Sequence, residues 1–317
     1  MIRDLAVQGG QMLLLLLLAP LLTGFVRKAK ARLLRRRGPS LVQPYRDLLR
    51  LLRKEVVLAE NASWLFRSAP YLIFATTWVA AALVPTFALG LTFSWSADLI
   101  VIAGLLGSAR FFLALAGLDV GTSFGGIGSS REMMIASLAE PALIIVVFTL
   151  ALIAGSTQLS TVAGLMASPA VGLRVSLGLA LFALLIIATA ENGRVPVDNP
   201  ATHLELTMVH EAMVLEYSGR HLALIEAAQF LKLLLYISII GCVFAPWGLA
   251  RADAQPAALA VGLGSYLAKL AVAAFLLAFF ESSVAKMRVF RVPVFLGAGL
   301  MLALLATLLM FVTQARG

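Results

Sequence analysis

The chain has 317 residues, 61% of them hydrophobic and only 13% charged. Soluble domains carry about 25% charged residues, so a mean hydropathy of +0.97 places most of this chain in lipid. That excludes a cytosolic globular enzyme, a disordered tail and, with Cys242 as the single cysteine, a secreted disulfide scaffold.

A helix needs about 20 mostly apolar residues to cross a bilayer core. Eight windows qualify, at 5–26, 68–90, 97–118, 133–155, 170–190, 222–246, 257–280 and 293–313. They lack the alternation of a membrane barrel. The sequence therefore predicts an all-α membrane protein, a polytopic bundle of about eight transmembrane helices with a cytoplasmic amphipathic helix. No long polar stretch interrupts it, so residues 1–317 read as a single integral membrane domain.

The first window is preceded only by Arg3, offset by Asp4, and followed by Arg27, Lys28, Lys30 and Arg32. A secretory signal has the reverse order, so this reads as a retained helix with its N-terminus outside. Eight spans put residues 27–67, 119–132, 191–221 and 281–292 on one side, with 18 of the 25 Lys and Arg residues. The other side holds Arg3, Arg251 and Arg316. The positive charge marks the first side as cytoplasmic. It also explains the net charge of +9 without any nucleic acid partner.

The segment 27–60 turns at Gly38-Pro39 and then reads Gln43-Pro44-Tyr45-Arg46-Asp47-Leu48, with Leu51, Leu52 and Glu55 continuing one helical face. Arg46, Arg50, Arg53 and Lys54 lie largely on the other, as in a helix in the interface plane. Two readings stand: anchoring to anionic lipid, or a docking surface for a soluble partner. Residues 119–132 are expected to form a tight connector, with four glycines between Asp119 and the Arg131-Glu132 pair. A phosphate loop is not indicated, because no Gly-Lys-Ser/Thr follows.

Residues 191–221 hold all three histidines and five of the sixteen acids. A helix beginning near Ala201 places Glu205 and Glu216, eleven apart, on one face, and likewise His203 and His210. His210-Glu211 is followed by Val214 where a zinc protease needs its second histidine, and no cysteine lies nearby. No metal site and no catalytic residue are therefore assigned. The readings that remain are a structural ion-pair network and a set of carboxylates that handle protons.

Ionisable residues inside spans are costly, about 2.5–3.5 kcal/mol on insertion scales, and mark ion or proton paths by default. Glu140, Glu226 and Lys232 are such residues, and so are Arg110, Arg174 and Lys269. Glu281 ends the seventh window, where a snorkelling role suffices. Glu140, Asp198, Glu205, Glu216, Glu226 and Lys232 are thus candidates for a proton pathway. Arg46, Asp47, Asp119, Arg131, Glu132, Glu191, Arg194, His203, His210 and Glu211 are candidates for docking or ion pairing.

The pattern Glu191-x-x-Arg194-x-Pro196-x-Asp198, with Glu205-Leu206 and Glu216-Tyr217-Ser218-Gly219, resembles the signature of subunit 1 of the proton-pumping NADH:quinone oxidoreductases (complex I). The longer run from Asn199 to Glu211 resembles one branch of that family, the membrane subunits of formate hydrogenlyase and the group 4 membrane-bound [NiFe] hydrogenases. Phe124 to Glu132 and Gly38-Pro39 with Gln43 to Asp47 agree, so the resemblance covers essentially the whole chain. It implies a non-catalytic, membrane-anchoring and proton-conducting subunit in a prokaryotic inner membrane. Its expected partners are the hydrophilic [NiFe] large subunit, the small and iron–sulfur subunits, and antiporter-like membrane subunits. The [NiFe] centre and iron–sulfur clusters are expected in those partners, and no cofactor in this chain. Quinone binding, the property of the alternative quinone-site branch, is set against Val197 and Asn199 to Thr202, which depart from that branch.

Overall fold

A computed structural model describes residues 2–168, 174–198, 208–251 and 254–314. Among the described residues, eight long helices are α1 (Ile2–Leu33), α3 (Trp64–Leu83), α4 (Leu99–Asp119), α5 (Ser123–Ala154), α7 (Val175–Glu191), α9 (Gly219–Phe244), α10 (Pro256–Ser283) and α11 (Val292–Gln314). Shorter helices α2 (Gln43–Leu52), α6 (Leu159–Met166) and α8 (His210–Val214) lie between them, with a 3-10 turn at Val289–Arg291. Six of the long helices are long and apolar enough to cross a membrane, and α7 is a shorter apolar helix of 17 residues. The helix α3 has the length but is less apolar, with Arg67, Ser68, Thr76 and Thr77 on it. The architecture is an all-α membrane bundle, as expected.

Local chemistry sets the helix ends. Ser63 Oγ accepts from Leu65 N at 3.0 Å, Asp98 Oδ1 from Ile100 N at 2.7 Å, and Thr122 Oγ1 from Gly125 N at 3.3 Å, capping α3, α4 and α5. Gly155, at φ 68°, closes α5 in the left-handed conformation that glycine takes without penalty. Lipid is as apolar as leucine, so helices associate through close packing of small residues. Ala80, Ala139, Ala142, Ala180, Ala183 and Ala274 are fully buried at these crossings. The helix α9 runs through the middle, with 61% of its apolar stretch buried, against 22% for α10 at the periphery.

Several boundaries differ from the sequence expectation. The window 68–90 ends at Leu83. Beyond it, Ala88–Leu89 pairs in parallel with Ala250–Arg251, the two strands named among the described residues. The connector expected at 119–132 is confined to a turn at Val120–Gly121, because α5 starts at Ser123. Two of its glycines, Gly125 and Gly128, serve packing: a Cβ on Gly128 would stand 2.9 Å from Val209 O and 3.0 Å from Met213 Cγ. The amphipathic helix α2 forms where expected, but stops at Leu52, so Glu55 is not on it. Leu48 faces the core while Leu49 and Leu52 stay exposed.

The helix expected from Ala201 to Glu216 is not continuous. Residues 199–207, with His203 and Glu205, lie outside the described residues. The helix α8 ends at Val214, and Glu216 sits exposed in the turn before α9. Ser218 fixes that turn: its hydroxyl accepts from Val57 N at 2.8 Å and donates to Val57 O at 2.9 Å. The next residue, Gly219, at φ 53°, lies where a Cβ would meet Glu55 O at 2.6 Å.

Candidate functional site

The helix α7 ends at Glu191, a buried residue whose carboxylate meets Arg110 from the middle of α4. The segment after it stays inside: Asn192, Val195, Val197 and Asp198 are all buried. Irregular backbone at such depth is tolerated only where protein or a cavity surrounds it. Here Arg194 N donates to Thr189 O at 2.9 Å, Val197 N to Arg194 O at 2.9 Å, and Met287 N to Pro196 O at 2.9 Å.

Arg110, in the middle of α4, is the hub of a buried ion cluster. Its Nε lies 3.1 Å from Glu132 Oε1, its Nη1 3.2 Å from Glu140 Oε1, and its Nη2 pairs with Glu191 Oε1. Lys232 Nζ of α9 completes the group, 2.9 Å from Glu191 Oε2. The Arg110 and Glu191 side chains are 3% and 2% exposed, whereas Glu140 is 45% exposed on the outward face of α5. Three carboxylates thus meet two cations, supplied by four helices.

A cavity of about 60 Å³, counted as space for the centres of water molecules, borders this cluster. Each water needs about 10–15 Å³ by that measure, so the space holds on the order of four. Asp198, Asn192 and His210 line it beside Arg110, Glu191 and Lys232. His210 Nε2 is buried with no hydrogen-bond partner among the described residues.

A second ion group lies at the end of the bundle that carries α2. Glu281 Oε2 is 3.1 Å from Lys30 Nζ and its Oε1 is 3.2 Å from Arg194 Nη1, with the Glu281 side chain 4% exposed. Burial lowers the Arg194 pKa from its ordinary value, and the Glu281 carboxylate opposes that shift. Lys286 Nζ pairs with Asp198 Oδ1 at 2.8 Å. Glu281 therefore does not snorkel. It is enclosed, and two cations make that burial tolerable.

The remaining candidates are scattered. Glu226 is half-buried on α9, where His210, Glu211, Arg27 and Asp47 act on it electrostatically, and Lys232 pairs with Glu191. Arg131 Nη1 donates to Met208 O at 2.9 Å, and Asp119 Oδ2 accepts from Ser63 N at 3.0 Å, so both tie segments of this chain together. Glu132 and Glu191, candidates for docking or ion pairing, lie inside the buried cluster rather than on a docking surface. Glu211 and Asp47 are half-buried, Asp47 accepting from Gln43 Nε2 at 3.0 Å, and Arg46 is exposed. Sequence reasoning saw Arg110 only as one more charge in a span. The usable signal was a lone arginine in the otherwise uncharged run Leu99–Leu118, which demands carboxylates from other helices. Among the described residues, no three His, Cys, Asp or Glu side chains are grouped to hold a metal ion.

A family model described as NADH dehydrogenase matches residues 8–313. Formate hydrogenlyase subunit 4 of Escherichia coli (strain K12) is 35% identical, over 93% of this chain and 95% of its own. Hydrogenase-4 component C of the same organism is 37% identical over 76% of each chain. NADH-ubiquinone oxidoreductase chain 1 of Triticum aestivum is more distant, 27% identical over 73% of this chain and 74% of its own. A chain in the structure of a membrane-bound sulfane sulfur reductase, an archaeal respiratory membrane complex, shares the fold. Its TM-score is 0.78 at 20% identity, with 97% of this chain and 98% of that one covered. The chain belongs to the NADH dehydrogenase family, as a membrane subunit homologous to those of formate hydrogenlyase, hydrogenase-4 and the NADH-ubiquinone oxidoreductases.

Proposed function

We propose that this chain is the membrane-anchoring, proton-conducting subunit of a hydrogen-evolving complex of the formate hydrogenlyase type. The observation that carries the proton role is the Arg110 cluster lining a cavity with room for water. In that setting one carboxylate more than the cations is a place for a proton, because a low dielectric disfavours the uncompensated charge. Asp198 and His210 at the cavity, with Glu226 and Glu216 further out, supply titratable groups between the α2 end and the cluster. The half-exposed Glu140 supplies an exit toward a neighbour.

The α2 end, with its exposed Arg46 and the basic segment 27–60, seats the hydrophilic arm that carries the [NiFe] centre and iron–sulfur clusters. Antiporter-like membrane subunits pack against the sides. The basic end faces the cytoplasm of a prokaryotic cell and the N-terminus lies outside, consistent with the distribution of Lys and Arg. The runner-up, a quinone-site subunit of an NADH:quinone oxidoreductase-like complex, draws on the more distant relatives.

The test replaces Glu191 by Gln, and in a second variant Glu140 by Gln, within the assembled complex. Both variants are expected to assemble. Hydrogen evolution and proton movement into vesicles should fall by about 10²-fold for the first, the scale of a lost proton-transfer group. Normal values of both in an assembled Glu191→Gln complex would refute the proton role. Loss of turnover on adding a quinone-site inhibitor would favour the runner-up.

A further inference from the structure

The helix α10 is the least covered of the six candidate spans. It buries Gly262, Tyr266, Leu270, Ala274 and Ala278 against the bundle. On one flank of that stripe, at helical spacing, lie Lys269, Val272, Leu276 and Phe280, the last three 60%, 58% and 38% exposed. Lys269 is half-buried and lies midway along the 28 residues of α10. At 1.5 Å per residue it is about 20 Å from either end. That is beyond the reach of a snorkelling side chain.

Every other cation placed deep in this bundle has a carboxylate: Arg110 has three and Lys232 has Glu191. No carboxylate of the described residues lies within ion-pair distance of Lys269, and the titratable group acting on it is the Cys242 thiol of α9. A lipid phosphate is no substitute, because headgroups stay at the ends of the span. An ammonium group held in the hydrocarbon, on an apolar outward face, calls for an opposite charge, and none of the described residues supplies it.

We propose that the α10 face bearing Lys269 is the seat of a neighbouring membrane-embedded subunit, and that this subunit brings a carboxylate into ion-pair distance of Lys269 Nζ. The apolar row Val272, Leu276 and Phe280 supplies the helix-to-helix contact, and the ion pair fixes its register. This rests on the reading that the chain works inside a multisubunit membrane complex, but not on any proton role.

The test is made in the whole complex in native membranes. A photo-crosslinking residue at Val272 or Leu276 should capture one membrane subunit that has an Asp or Glu in a span. Lys269→Glu should lower co-purification of that subunit by at least about tenfold, Lys269→Met by a smaller factor, and Lys269→Arg hardly at all. Restoration of Lys269→Glu by a carboxylate-to-lysine change in the captured subunit would establish the pair. Cross-links to lipid alone in an intact complex, or normal co-purification with Lys269→Glu, would overturn it. Should Lys269→Glu fail to insert, the cross-link in the otherwise unaltered chain still decides. Normal proton movement in Glu191→Gln leaves this outcome untouched, so the two proposals fail separately.

Discussion

The two ion groups of this bundle use the same residue types in opposite balance. Around Arg110, two cations meet Glu132, Glu140 and Glu191. Around Glu281 and Asp198, three cations, Lys30, Arg194 and Lys286, meet two carboxylates. The first group has a carboxylate in excess, lies beside a water-sized cavity and reaches a half-exposed Glu140. The second binds the ends of α1 and α10 to the segments at 194–198 and 284–288, where Lys30 remains 25% exposed. The first balance is that of the proposed proton path, whereas Glu281, enclosed between two cations, acts as a staple.

Removing the hub should break this contrast most severely. Arg110→Met leaves three carboxylates facing one another, with Glu191 almost fully enclosed. Breaking a buried pair from one side costs about 3–5 kcal/mol. The variant is expected to be lost from the membrane, or to melt far earlier in detergent. Adding Glu191→Gln should restore part of the loss, because the two residues share one interaction. Equal melting of Arg110→Met and the unaltered chain would show that the cluster is not held by Arg110.

Glu281→Gln is the corresponding change at the second group, and a smaller loss is expected, about 2–3 kcal/mol. One of the two stranded cations, Lys30, keeps some contact with solvent. The sharper outcome concerns function. Protons moved per hydrogen evolved should stay unchanged in the fraction that assembles, in contrast with Glu191→Gln. A changed ratio would move Glu281 from staple to proton path.

How much of this was legible in the chain follows from the range of each interaction. Spans are local, since apolar length suffices to place them, and all eight windows contain a helix. The ion groups are not local. Arg110 and Glu191 are 81 positions apart, and Lys30 and Glu281 are 251 apart. Composition says that a charge in a span needs a partner, but not which helix supplies it. Glu226 and Lys232 lie six residues apart on one helix, nearly two turns, and it is Glu191 at the end of α7 that pairs with Lys232. The glycines of 123–128 were misread for a related reason. Glycine permits a turn and close helix contact alike, and at Gly128 only the position of Val209 and Met213 decides between them.

The smallest expected effect concerns the joint between the first turn of α3 and the segment before α9. The Tyr217 ring stacks on Phe66, centroids 3.9 Å apart, and its hydroxyl donates to Phe66 O at 3.0 Å. Burial, with the nearby Asp119 carboxylate, raises the phenol pKa above its ordinary value, so the hydroxyl remains a donor across the physiological range. Tyr217→Phe keeps the stacked ring and leaves one backbone carbonyl short of a donor. The loss should be about 1 kcal/mol, read as a slight fall in melting temperature with assembly and hydrogen evolution retained. Tyr217→Ala removes the ring as well and should cost about 3–5 kcal/mol, the range for deleting a buried aromatic. If the two variants proved equally destabilised, the hydroxyl rather than the stack would be holding the turn at Ser218-Gly219. The joint would then belong with the polar staples instead of the apolar core.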